Sequence, residues 1–142
     1  MAQHSSRPPA REKIDWVGKG LPLEQLVSDK AHQVAEELAG KRSPVTASQL
    51  RAFFHGFRAL EAQIADDPKN FQRVLPRLKM MRAVAAYRYR GGGRDAKIPE
   101  SFYHFLEDNV REINTIDDFK RFMLYFEAVV GFCYGKGVRE GR

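Results

Sequence analysis

The stretch LPRLKMMRAVAAYRYRGGGR, Leu75 to Arg94, sets basic residues among apolar ones and ends in three glycines. Three readings compete: a core helix with a charged face, a phosphate-binding loop, or a nucleic-acid surface. Val74, Leu78, Met81 and Ala85 fall on one side at helical spacing, which predicts a helix with that side buried. Lys79, Arg82, Ala86 and Arg90 line a second stripe, and Arg73, Arg77 and Arg88 a third. Pro76 has no N–H and its ring crowds the preceding turn, so a kink or split is expected there. The glycines follow a helix, and the Lys-Ser/Thr pair of a phosphate loop is missing, so they read as a flexible linker.

The same pattern extends in both directions. Leu23, Leu26, Val27, Val34 and Leu38 recur at helical spacing, with Gly40 as the stop. KRSP makes a loop. Thr46 and Gln49 in TASQ have the form of a capping box, and the next helix buries Leu50, Phe53, Phe54, Phe57, Leu60 and Ile64. Asp67 and Pro68 open a third helix as N-cap and first position. Pro99 opens a fourth with Phe102, Phe105, Leu106, Val110 and Ile113 facing in. A fifth begins near Asp117 and buries Phe119, Phe122, Met123, Phe126, Val130 and Cys133. No β alternation appears. The expectation is all-α: a compact bundle of about five helices joined by short loops over residues 21–138, behind a flexible basic tail over residues 1–20 in which Trp16 is the residue that can dock.

The fifth helix has apolar residues off its stripe: Leu124, Tyr125, Val129 and Phe132. A helix apolar nearly all round is either central or covered by a partner. A small domain has little room to enclose one, so Tyr125 and Phe132 are expected at an interface.

The 142 residues carry a net charge of +6, and 43% are apolar. This is a folding chain that favours polyanions. The charge is concentrated. Residues 69–97 hold nine basic side chains and one acid, a net +8, leaving −2 for the rest. Residues 100–118 hold six acids against Arg111. A cluster that repels itself is best explained by a polyanionic partner, with Tyr87 and Tyr89 interleaved to stack on bases. Cys133 is the only cysteine, which excludes an internal disulfide. No His falls at metal-ligand spacing, and His55 and His104 lack a partner for acid–base work, so no metal, cofactor or catalytic site is expected. The N-terminus lacks an apolar signal region, and no run approaches the about 20 apolar residues of a membrane span. A cytoplasmic protein is expected.

Four blocks then stand in order: TASQLRAFFHGFRALE, FQRVLPRLKMMRAVAAY, IPESFYHFLEDNV and DDFKRFMLYFEAVVGF. Together, over residues 43–134, they resemble the small subunit of the type III-A CRISPR interference complex, the Csm complex. The first 20 residues have no counterpart in the resemblance. It implies a helical protein without enzymatic activity, stacked in copies as a filament beside the backbone subunits. The implied partners are CRISPR RNA, target RNA and the other Csm subunits. It points to Arg51, Arg77, Lys79 and Arg82 as RNA-binding; the charge argument adds Arg58, Arg88 and Arg90. A holder of guides of every sequence should grip phosphates, not bases. The rival reading is a free-standing helical adaptor whose basic face binds an acidic protein; a helical ribonuclease is a third.

Overall fold

The computed structural model describes residues 14–40 and 42–141. The expected tail therefore falls mostly outside the described residues. Five helices account for the architecture, and there is no strand among the described residues.

Helix α1 is made of three contiguous segments: α-helix over Leu23–Gln25, a π-helical turn over Leu26–Lys30 and α-helix over Ala31–Leu38. At the π turn the Ser28 hydroxyl donates back to the Glu24 carbonyl, a bond that competes with the helical ladder. The helix stops at Leu38, with Ala39 as its cap, and the Gly40 N–H bonds the Glu37 carbonyl.

Helix α2, Ala47–Ile64, starts with the capping box that its sequence announces: Thr46 Oγ1 accepts from the Gln49 N–H, and Gln49 Oε1 from the Thr46 N–H. Helix α3, Pro68–Tyr89, is capped by Asp67. The expected split at Pro76 is overturned, because α3 runs unbroken through it. Pro76 lies on the exposed side, where water can serve the carbonyl that its ring leaves without a donor. Buried Val74 and Leu78 hold the turn on either side.

Helix α4 is Glu100–Arg111 and helix α5 is Ile116–Gly135. A second capping box, Thr115 with Asp118, starts α5.

Helix α5 packs on α1 and α2, and α3 packs on α2 and α4. Where these meet, aromatic rings fill the centre. Phe57 of α2 lies edge-on to Phe122 of α5 at 5.0 Å, and Phe53 of α2 edge-on to Phe102 of α4 at 5.5 Å. Phe105 and Phe126 meet at 5.4 Å between them. Such tilted and edge-on pairs add to the gain from burial.

The expectation that Tyr125 sits at an interface is also overturned. Tyr125 is 1% exposed, and its hydroxyl donates to the Trp16 carbonyl at 2.6 Å. Phe132 is half-buried, edge-on to His32 at 5.0 Å. The physical reason is the segment before α1, which the helical pattern does not reveal. Trp16 is buried, and its carbonyl also accepts from Asn109 Nδ2 at 3.0 Å. Arg121 Nη2 holds the Gly18 and Leu21 carbonyls at 3.1 and 2.7 Å. A strap of irregular chain thus covers the side of α5 left over by the helices. The exposed apolar side chains of α5 are Leu124 and Tyr134.

Candidate nucleic-acid interface

Seven basic residues are the sequence-derived candidates, and the fold distributes them over three faces. Arg51 and Arg58 stand on α2 toward α5. Arg51 Nη1 donates to the Tyr134 hydroxyl at 3.2 Å, and Nη2 pairs with Glu140. That carboxylate, and then the Tyr134 hydroxyl, hold the guanidinium pKa above its ordinary value. Arg58 Nη1 donates to Glu61 at 2.8 Å, Nη2 lies 3.6 Å from Glu127, and the guanidinium covers the Phe54 ring.

Lys79 and Arg82 occupy the flank of α3 that meets α4. Lys79 Nζ donates to the Val110 and Arg111 carbonyls at 3.0 and 3.1 Å, at the C-terminal end of α4. Positive charge is favoured there by the helix dipole and by the partial negative charge of the terminal carbonyls. Burial, and then the neighbouring Arg82, lower the Lys79 pKa. Arg82 forks onto Glu107, and Arg111 Nη2 reaches the same carboxylate at 2.7 Å. These bonds, Arg82's first, draw the Glu107 pKa below the usual carboxylate range.

Arg77 and Arg88 lie on the outer face of α3, both exposed. Arg90 is the C-cap of α3 at φ 53°, its guanidinium 5.1 Å from the Tyr87 ring centroid. Gly91, Gly92 and Gly93 follow with φ of 69°, 88° and 79°. Three left-handed residues in succession suit glycine alone. The run is a folded turn rather than a linker, since the Lys97 N–H returns to bond the Arg88 carbonyl at 2.7 Å.

The outer stripe of α3 therefore reads Lys69, Arg73, Arg77, Met80, Val84, Tyr87 and Arg88, all exposed. Among the described residues, neither these cations nor Arg90, Arg94 and Lys97 form an ion pair with a carboxylate. From Lys69 to Arg88 the row spans about 28 Å at 1.5 Å per residue. Sequence reasoning ranked Lys79 and Arg82 above Arg73, Arg94 and Lys97. Sequence gives no sign of the Arg82–Glu107 pair, because Glu107 lies far along the chain from Arg82 and only folding brings them together. Tyr89 is turned inward and stacks on Tyr103 at 4.6 Å, while Tyr87 is 67% exposed.

Residues 22–136 match the family model described as Csm2 Type III-A. The chain belongs to the Csm2 family. The match spans all five helices, α1 included, and makes the chain a small subunit of a type III-A CRISPR effector complex. No curated protein and no solved structure matched this Csm2 chain. Among its described residues, no helix is long and apolar enough to cross a membrane.

Proposed function

We propose that this Csm2 subunit is a non-catalytic, cytoplasmic component that holds guide and target RNA by their phosphates. It assembles with the other subunits and with copies of itself along the backbone filament. The grip runs along the outer face of α3 and onto the glycine turn, through Arg73, Arg77, Arg88, Arg90, Arg94 and Lys97. The observation that carries this reading is the row of exposed cations without carboxylate partners. A row whose cations form no ion pair with a carboxylate keeps its charge for a polyanion, and each phosphate neutralised releases counterions. Phosphate contacts on a rigid helix position a strand without reading its sequence, as a holder of variable guides requires.

The test is a salt titration of RNA binding with two double variants. Arg77→Ala with Arg88→Ala should lower the magnitude of the log–log salt slope by about 1.4–1.8, for two lost contacts. Lys79→Ala with Arg82→Ala should leave it nearly unchanged. A slope unaffected by the first pair and reduced by the second would return the site to the α4 flank.

A further inference from the structure

Between α2 and α3, beside Arg88, lies a groove of about 320 Å³. Phe53 and Ile98, both buried, and half-buried Met81 make its apolar floor. Ala52 and Val84, both exposed, stand on its two sides. Gly56 opens it: a β-carbon there would come within 3.2 Å of Met81 Cε, so the missing side chain lets Met81 lie over α2. Arg88 and Lys97 line it as well, and no acidic side chain does.

We infer that this groove takes one unpaired nucleobase of the bound RNA, with the flanking phosphates on Arg88 and Lys97. The inference deepens the RNA-holding reading and rests on it. A nucleotide is a flat, largely apolar body joined to an anion. The groove offers an apolar slot with two cations and no opposing carboxylate. Met81 presents a polarizable surface to a ring, with buried Phe53 beneath it in the floor, and contact of that kind tolerates every base because every base has a π face. Paired bases are shut inside a duplex, so an occupant must come from a single strand or a nucleotide turned out of its stack. The charge arrangement favours a nucleotide over a peptide: Arg88 also belongs to the α3 row, so a strand following that row passes the groove.

The experiment observes the methyl NMR signals of Met81, Val84 and Ile98 in the wild-type protein. Three probes of equal length are added: oligoadenylate, the same sugar-phosphate chain without bases, and a duplex. Oligoadenylate should shift the three methyls by ring current, whereas the abasic strand and the duplex should not. The abasic strand should bind about tenfold more weakly with an unchanged salt slope, because stacking and not phosphate contact is lost. Ala52→Leu, at an exposed position, should abolish the preference for oligoadenylate over duplex and leave duplex affinity as it is. Equal shifts and equal affinity for the abasic strand would overturn the inference while the RNA-holding reading stood. An acidic, leucine-bearing peptide that moved the same methyls when RNA did not would overturn it in favour of a protein partner. Absence of any salt-dependent RNA binding would remove both.

Discussion

Arg82 holds Glu107 across the α3–α4 contact with a forked bond: Nε donates at 3.1 Å to each carboxylate oxygen, and Nη2 donates at 2.7 Å to Oε2. With Arg111 on the same carboxylate, two cations share one largely buried anion. The cluster ties the basic helix to the acidic one, so part of the +8 charge of residues 69–97 is spent inside the fold.

Replacing Arg82 and Glu107 singly and together by Ala should reveal a coupling of about 0.5–1 kcal/mol, modest because Arg82 remains partly solvated. The pH dependence has a definite sign. The folded-state pKa of Glu107 is lowered, so its contribution is complete above the unfolded carboxylate value and is lost as pH falls through the lowered one. Glu107→Gln should flatten the acid limb of a stability–pH profile in denaturant. A profile with the same slope would show that the pair does not stabilise the fold.

Lys79→Ala should destabilise by about 1 kcal/mol, since it removes a positive charge from the end of α4 and leaves the Val110 and Arg111 carbonyls without that donor. Thermal melts of the variant check this. A normal melt together with weakened RNA binding would assign Lys79 to the ligand instead.

The chain end acts on the start of α2. The Arg139 and Glu140 carbonyls accept from the Ala47 and Ser48 N–H groups at 2.7 and 2.8 Å, while Thr46 serves the Gln49 N–H. Two of the amides that a helix start leaves free are thus satisfied from elsewhere. A variant lacking residues 138–142 should lose about tenfold in hydrogen-exchange protection at Ala47 and Ser48. Gln49, held by the local capping box, should keep its own. Uniform loss over α2 would point to general destabilisation.

Tyr125→Phe removes the buried donor to the Trp16 carbonyl but leaves Asn109 Nδ2 in place. The expected cost is about 1 kcal/mol. Trp16 fluorescence in a urea titration reads it directly, because Trp16 is the only tryptophan. If the variant is as stable as the wild type, the strap over α5 is held by packing alone.

Local signals were legible wherever chemistry and position coincide along the chain. The capping box at Thr46 and Gln49, the Asp67–Pro68 start and the helical apolar spacing need only neighbours within one or two turns, and they fixed five helices and most of their inner faces, though Phe54 and Val130 are only half-buried and Leu23 is exposed. Concentration of charge is likewise a property of the chain, so the basicity of residues 69–97 was visible at once. The expected split at Pro76 failed because periodicity says which side is buried but not whether flanking contacts hold a turn together.

What only the tertiary structure decided is how each polar group is spent. Arg77 and Lys79 stand two residues apart and look equivalent in sequence, yet Arg77 is exposed without a carboxylate partner while Lys79 closes the end of α4. The difference is about 200° of helix rotation, two residues at 100° each, and what α4 places on that side. Tyr125 was settled in the same way, by a carbonyl more than a hundred residues away. Apolar periodicity is written locally and determines the helices. The partners of charges and hydroxyls are set by packing between distant segments, and that packing leaves the outer row of α3 available to a ligand.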